Sequence, residues 1–419
     1  MFKKITVIGS GLMGSAIAAH FSNAGCEVIL LDIVNPKEKN KNFYADNSIK
    51  KLLKIKPSPL TLNSNIKLIK SGNIEDNLTE INSSDWLIEA IIEDVNIKKD
   101  LYKKIDKIMN NNLIISSNTS TIPIKLLTAG LSQKFKNNFL ITHFFNPPRY
   151  LRLLEIVRSK DLNNEIFNNV KKFCDFNLRK TVIETKDTAG FIGNRIGIFW
   201  IERAVTEAIN LNLTVEEADA IIMNIFKVPK TGVFGLIDVV GLDLIPTVIK
   251  SLLNNISKKD YYHSVHQSPD IFQYMIDKNM IGRKGDGGFY KLINNKQTRI
   301  KHSLNLKTKK YSISNKYKIE NIKLLKNDLH SFLNLNDNIS KYALNVLTET
   351  LYYILEIAEE ISLDIFSIDE AMKKGFGWRN GPFEIIDKVG SAFLTKYYKS
   401  LNKRIPKLLN DIGDKKFYI

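Results

Sequence analysis

Cysteine is almost missing from this chain: Cys26 and Cys174 are the two in 419 residues, far apart and outside any CxxC. That excludes a disulfide framework and gives no cysteine-based metal site, so no metal is expected. It also fits a reducing compartment, and a cytoplasmic location is expected. Long apolar runs are missing too. Nothing approaches the ~20 apolar residues of a bilayer span, so no membrane span is expected. The opening MFKKITVIGSG places two lysines before an apolar run. Glycines break that run at once, and it reads as a first strand rather than an export signal.

What is present is an ordinary globular composition, 44% hydrophobic and 25% charged. The length suggests about two or three domains at ~100–200 residues each. The formal net charge is +17. Its lysines are scattered (KEKNK, KKLLKIK, NIKKDLYKKIDK) with acidic residues between them. Clustering on one face is what marks a nucleic-acid footprint, so no nucleic-acid partner is expected. A cofactor bearing several phosphates would still benefit from the field.

Strand-like and helix-like stretches alternate through the first half. KITVIGS, EVILLD (27–32), WLIEAII (86–92), LIISSN (113–118), NFLITHFF (138–145), LRLLEIV (151–157) and TVIET (181–185) read as strands. Helices are expected from about Leu12 to Asn23 and over 94–110. This alternation predicts an α/β class with a sheet that is parallel at least at its start. After Asp187 the texture becomes helical, beginning with a long helix over 189–211 that contains Gly193 and Gly197. Glycines there suggest close packing against another element. The segment VEEADAIIMNIFKVPKTGVFGLIDVVG (215–241) echoes FSIDEAMKKGFGWRNGPFEIIDKVG (366–390), pairing Asp238 with Asp387, Gly241 with Gly390 and Gly232 with Gly381. Asp219 aligns with Asp369 after a slip of one residue. A duplicated helical unit is therefore expected. The first copy lacks the glycine–proline turn of the second, TGVF against NGPF.

GSGLMG (9–14) is a GxGxxG that follows a strand and opens a helix, the context that gives the pattern meaning. Gly9 permits the tight turn, Gly11 lets the backbone approach a pyrophosphate, and Gly14 lets the helix lie close to the strand. Asp32 ends the second strand about 20 residues on, where a carboxylate accepts from ribose hydroxyls and repels a 2′-phosphate. NAD is therefore the expected cofactor, in preference to NADP.

ITHFFNPPRYLRLLEIV (141–157) sets one histidine and one glutamate in an apolar and aromatic stretch. A carboxylate between Leu154 and Ile156 is costly in a core without a partner, and His143 is the candidate. Oxidation of a secondary alcohol needs a base for the hydroxyl proton while hydride leaves carbon, and histidine suits that task. A buried carboxylate on its other ring nitrogen would fix the tautomer and stabilise the imidazolium. Spacing alone is equally compatible with a hydrogen-bonded core histidine.

Taken together, GSGLMGSAIA, IEAIIEDVNIKKDLYKKID, SSNTSTIPI, THFFNPPRYLRLLEIV, KDTAGFIGNRIG and GFGWRNGPFEIIDKVG resemble the 3-hydroxyacyl-CoA dehydrogenase family. HFFNPPRYLRLLEIV is most similar to the bacterial multifunctional fatty-oxidation branch. The resemblance implies a Rossmann-like NAD-binding domain over 1–186 and a first helical C-terminal repeat over 187–295. A linker or excursion follows over 296–340, and a second repeat over 341–419. In that branch the paired repeats replace a dimer contact of single-repeat relatives, so the two copies are expected to pack together within this chain. It implies His143 as catalytic base with Glu155 as its partner, Ser120 near the substrate hydroxyl and nicotinamide, and Asn194 on the reacting oxygen. It places Asn146, Glu93 and Lys98 against the cofactor, with Met13, Ile91 and Ile92 lining the same cleft. Each has a plainer alternative: Ser120 as a helix cap, Asn194 in a helix–helix hydrogen bond, Asn146 in a turn, Glu93 and Lys98 as an exposed ion pair. The implied activity is NAD-dependent oxidation of (S)-3-hydroxyacyl-CoA to 3-ketoacyl-CoA in fatty acid β-oxidation. Its substrate would be an acyl-CoA thioester, with a thiolase or enoyl-CoA hydratase as possible partner. The chain ends at DKKFYI with no hydratase-like stretch after it. That leaves open a single-function protein or a separated portion of a longer one.

Overall fold

The computed structural model describes residues 2–295 and 298–418. The chain divides into two compact units, Met1–Phe191 with Ile361–Leu363, and Ile192–Glu360 with Asp364–Ile419. The first unit is built on strands β1 (Lys4–Ile8), β2 (Glu27–Asp32), β3 (Ile69–Asn73), β4 (Trp86–Glu89), β5 (Ile114–Ser117), β6 (Phe139–Phe144), β7 (Leu153–Arg158) and β8 (Thr181–Thr185). They form one sheet in the order β3-β2-β1-β4-β5-β6-β7-β8. Every neighbouring pair is parallel except β6 and β7. The loop 145–152 between those two is too short for a crossover, which needs about a dozen residues, so they pair antiparallel.

Alternate residues of the central strands feed apolar clusters on both faces. Val7, Val28 and Leu30 join Phe21, Trp86 and Phe173 on one side. Ile8, Ile29 and Leu31 join Tyr102, Phe135 and Phe139 on the other. A sheet covered on both faces explains why its strands read as continuous apolar runs. The covering helices Leu12–Asn23, Val95–Ile108 and Asn164–Phe176 begin at capped or glycine-opened ends. Asp94 accepts from the N–H groups of Asn96 and Ile97, and Asn163 from that of Glu165, satisfying otherwise orphaned donors. Inside the sheet the Trp86 indole donates to Ser116 Oγ at 2.9 Å, and Ser116 shares a 2.8 Å hydrogen bond with Thr142.

The second unit is mostly helical, and the expected duplication is a structural one. In the first copy Asp219, on the helix Val215–Ile225, accepts from Val233 N (2.7 Å), Phe234 N (2.9 Å) and Tyr290 Oη (2.8 Å). In the second, Asp369, on the helix Ile365–Gly375, accepts from Phe383 N (2.8 Å), Glu384 N (3.1 Å) and Tyr418 Oη (2.9 Å). Asp238 takes the N–H groups of Phe289 and Tyr290, and Asp387 those of Phe417 and Tyr418. The aromatic pairs Phe234–Phe289 and Phe383–Phe417 stand 4.7 and 4.9 Å apart, both at 74°. The echo thus extends to two FY pairs, 289–290 and 417–418. Gly232 and Gly381 are needed for the clasp, since a Cβ at either would lie within 2.3 Å of the aspartate it faces.

The two copies pack against each other. A Cβ on Gly197 would fall 1.9 Å from the Phe376 ring, which accounts for a glycine inside the helix Gly193–Asn210. Trp200 meets Trp378 at 5.4 Å, and buried Arg195 donates to Tyr353 Oη at 2.6 Å and to Asp260. Of residues 296–340, expected as a linker or excursion, 296–297 lie outside the described residues; the rest contributes β10 (Thr298–Leu304) and β11 (Tyr311–Ile313), which form a three-stranded antiparallel sheet with β9 (Tyr290–Asn295). The short helices Ile322–Asn327 and Leu329–Leu333 follow. No helix among the described residues is long and apolar enough to cross a membrane.

Burial pushes the Asp219 carboxyl up to about 7, against the four hydrogen bonds that favour its charged form. A folded-state value above the unfolded one means that the folded chain holds more protons between about pH 4 and pH 7. This group's contribution to stability therefore falls as pH rises through that window. In Asp219→Asn the oxygen still accepts from the backbone and the titration is gone. Urea unfolding at several pH values is expected to show a shallower decline in the variant than in the parent.

Candidate active site

The glycine turn between β1 and the helix Leu12–Asn23 is fixed by sterics on two sides and open on the third. Gly9 has φ +102° and donates to Leu31 O at 2.8 Å, and a Cβ there would lie 2.5 Å from Ala90 O. A Cβ on Gly14 would lie 1.8 Å from Gly9 O. At Gly11 an added Cβ meets nothing within 4 Å, so this part of the turn presents bare backbone to open space. Asp32, at the end of β2, accepts from Ser10 N (2.6 Å) and Ser10 Oγ (2.5 Å) on one oxygen and from Ile33 N (2.7 Å) on the other. Its first task is to tie β2 to the turn, and lone pairs remain on both oxygens. An open backbone at a helix N-terminus beside such a carboxylate fits the pyrophosphate and ribose of a dinucleotide. Met13 and Ile91 are half-buried, and Ile92 is exposed.

Beyond this turn lies a buried charge network. Glu89, fully buried at the end of β4, accepts from Lys98 Nζ (2.6 Å), Tyr102 Oη (2.5 Å), Ser117 Oγ (2.6 Å) and Ile91 N (2.8 Å). Lys98 also meets Glu93 at 3.4 Å. Lys98 is 1% exposed, so the exposed ion pair allowed by the sequence is not what forms. Glu93 accepts from Thr119 Oγ1 (2.6 Å), Ser120 N (2.8 Å) and Thr121 N (3.1 Å). Burial raises the Glu93 carboxyl, but Lys98 and these donors outweigh it and leave the group below its ordinary range. The chain of contacts ends by fixing the backbone of Ser120.

Ser120 in turn reaches His143. Its Oγ lies 3.1 Å from His143 Nε2, and His143 Nδ1 lies 2.8 Å from Glu155 Oε2. The geometry follows from register, because His143 on β6 stands directly opposite Glu155 on β7. Glu155 is 0% exposed and His143 4%. A carboxylate accepts only, so Nδ1 carries the proton in the neutral ring and Nε2 is the acceptor facing Ser120. The rings of Phe145 and Phe191 flank the imidazole at 4.5 and 5.6 Å. Ser120 is not the cap of the short helix Ile124–Leu127, whose flanking residue is Pro123. Asn146 is exposed in the turn after β6, and Asn194 lies in the second unit, at the start of the helix Gly193–Asn210.

Three residues of this region were not singled out from sequence. Glu89 carried the signal that flagged Glu155, a lone carboxylate in an apolar strand. Asn118 accepts from Phe144 N at 2.8 Å and braces the end of β6. Buried Lys180 donates to Pro148 O and to Leu151 O (2.8 Å), clamping the turn that joins the His143 strand to the Glu155 strand. Burial lowers the Lys180 ammonium to about 8. Replacing Lys98 by Met leaves Glu89 without its cation. That change is expected to destabilise the first unit by about 3–5 kcal/mol, the cost of an uncompensated buried charge, as read by urea unfolding.

Residues 4–188 match the family model "3-hydroxyacyl-CoA dehydrogenase, NAD binding domain". Residues 190–292 and 343–412 match "3-hydroxyacyl-CoA dehydrogenase, C-terminal domain". A "Probable 3-hydroxyacyl-CoA dehydrogenase" of Deinococcus radiodurans is 36% identical over 305 residues, 73% of this chain and 87% of that protein. A Rickettsia prowazekii protein provisionally named a fatty acid oxidation complex trifunctional enzyme is 37% identical over 410 residues, 97% of this chain and 56% of its own length. The chain spans about half the length of several curated relatives that it matches. In fold it resembles the 3-hydroxybutyryl-CoA dehydrogenase crystal structure from Escherichia coli K12, with a TM-score of 0.71, 17% identity and 98% of each chain covered. With both domain models matched in order and a relative covered over most of its length, the chain belongs to the 3-hydroxyacyl-CoA dehydrogenase family.

Proposed function

We propose that this protein oxidises (S)-3-hydroxyacyl-CoA thioesters to 3-ketoacyl-CoA with NAD⁺, as a step of fatty acid β-oxidation in the cytoplasm. The observation that carries the proposal is the line Ser120–His143–Glu155, set at the same edge of the sheet as the glycine turn. Ligands of open α/β sheets bind outside the carboxyl ends of the strands, where this line begins.

When bound, NAD⁺ supplies the hydride acceptor. The chain's part is to take the proton. His143 Nε2 accepts it from the substrate's 3-hydroxyl as the C3–H bond gives up its hydride, leaving a ketone, NADH and an imidazolium. Glu155, on Nδ1, fixes the tautomer and faces the cation that forms. Ser120 Oγ, 3.1 Å from the same nitrogen, is placed to hold the substrate oxygen in line with it. Glu93 and Lys98 hold Ser120 in position and contribute to the nicotinamide side of the site; Asn146 is assigned there as well. Asn194 keeps the role its FIGNR motif implies, a hold on the reacting oxygen. The HFFNP stretch with Glu155 on the ring of His143 argues against a rival reading, a hydroxyacid dehydrogenase of the lysine-dependent type. A thiolase or an enoyl-CoA hydratase would be the functional neighbour, since the hydroxyl must be supplied by hydration and the ketone consumed by thiolysis.

His143→Gln is expected to keep NADH binding and to lower kcat by about 10²–10⁴-fold, the usual contribution of a general base. Near-parental turnover on 3-hydroxyacyl-CoA would remove the base assignment. Asp32 also sets a preference: 3-ketoacyl-CoA reduction followed at the NADH absorbance band is expected to run far faster with NADH than with NADPH. Equal rates would contradict the ribose contact given to Asp32. Running that assay over short, medium and long acyl chains, with free 3-ketoacids as controls, identifies the substrate.

A further inference from the structure

We infer that the first helical repeat carries a second ligand site, a cleft that takes a phosphate-bearing molecule of nucleotide size. The cleft lies wholly in the second unit and has a volume of about 1250 Å³. That exceeds the ~300–1,000 Å³ of most small-molecule pockets and is far more than a lone phosphate needs.

Five cationic side chains line it: Lys230, Arg283, Lys291, Lys301 and Lys316. None of the five forms an ion pair within 4.0 Å among the described residues. Elsewhere in this unit Arg203, Lys373 and Lys403 each hold a carboxylate. Four acidic residues share the lining, but two are spent inward. Asp219 accepts from backbone N–H groups and Tyr290, and Asp238 accepts from the N–H groups of Phe289 and Tyr290. Glu216 and Asp286 are left against five cations, and Asp286 already accepts from Asn279 at 3.1 Å. Asp219 and Asp238 are 4% and 6% exposed, so the accessible part of the lining carries five cations against two acids, an excess of positive charge that a concave surface focuses on anions.

The walls suit more than phosphate. Met223, Leu292 and Tyr317 give apolar and aromatic surface of the kind on which a base can lie. The Lys301 ammonium sits 3.4 Å above the Tyr290 ring, so this cation is held at the floor by the ring face. Lys291 similarly lies 5.8 Å from the Tyr311 ring. The loop 282–288 runs beside them with Gly282 and Gly287 at φ +91° and +125°, and a Cβ on Gly282 would lie 2.4 Å from Asp238 O, so glycine lets the loop pack closely on this residue.

The cleft is also assembled from two sources. Lys230, Arg283 and Lys291 belong to the stretch matched by the family's C-terminal domain, whereas Lys301, Lys316 and Tyr317 lie between its matched segments, 190–292 and 343–412. β10 and the stretch after β11 therefore add Lys301, Lys316 and Tyr317 to a basic surface of the matched domain. The site does not depend on the dehydrogenase assignment.

The test uses the full chain saturated with NADH, so that the glycine turn is filled. ADP and inorganic pyrophosphate are titrated by calorimetry into the parent, Lys301→Ala/Lys316→Ala and Lys230→Ala. ADP is expected to bind the parent, to weaken with added salt, and to bind more tightly than pyrophosphate. Both variants should lose about tenfold or more in affinity, the size of one charge-assisted contact, with acetoacetyl-CoA reduction unchanged. No binding of ADP to the parent, or equal binding to all three proteins, would overturn the proposal. Pyrophosphate binding as tightly as ADP would overturn it as well, reducing the cleft to an anion patch.

Discussion

A carboxylate drawn into an apolar interior has to be answered by donors, and this requirement organises both units of the protein. Glu155 is answered by the imidazole across the strand pair. Glu89 is answered by a lysine, a tyrosine, a serine and a backbone N–H. Asp219 and Asp369 are answered by the N-terminal turns of the helices that follow them and by a distant tyrosine. Remove the donors and each position would favour an apolar residue. With the donors in place, Glu89, Asp219 and Asp369 each fix the relative position of three segments of the chain, and Glu155 that of two neighbouring strands.

In the first unit that fixing has a chemical consequence. The acids do not line up by chance of sequence spacing. Glu89 and Glu93 bracket Lys98, and Glu93 then holds the backbone of Ser120, whose hydroxyl faces the histidine held by Glu155. Two carboxylates therefore reach the same pair of side chains from opposite directions, one through the β4–β5 side and one through β7. In the reaction proposed above, such a preorganised hydroxyl–imidazole pair would need little rearrangement as charge developed on the ring, where electrostatic stabilisation gains most. Lys180 adds to this by clamping the turn that sets β6 against β7, and so the register on which the His143–Glu155 contact depends.

Much of this is legible in the sequence. Seven of the eight strands of the large sheet were marked by apolar runs, and the glycine turn with Asp32 by spacing. Strand β3 escaped because IKSGN has one large apolar residue and a glycine, whose room is set by Leu31 and Asn77 rather than by its own pattern. His143 and Glu155 were legible because a charged residue in an apolar run demands a partner. Glu89 met the same criterion, yet its partners come from three places, and the nine residues to Lys98 give no hint that the lysine turns inward. The duplicated aspartates were visible as an echo, but their second halves were not. The FY pairs at 289–290 and 417–418 lie at different distances from their aspartates, so no fixed period connects them.

That difference in distance has a structural meaning. From Asp238 to Phe289 the first copy interposes the helices Leu244–Asn255, Tyr261–Val265 and Asp270–Asp277, while the second closes from Asp387 to Phe417 across Ser391–Ser400 and Lys407–Ile412. Both nevertheless end on the same clasp, a phenylalanine packed on a phenylalanine and a tyrosine hydroxyl on the buried acid. Loop closure costs little extra for added residues, whereas breaking the clasp would leave a buried carboxylate short of donors. The clasp is thus the constant part of the repeat and the connecting chain the variable part. Tyr290 opens β9, and the three-stranded sheet grows directly out of the clasp that closes the repeat.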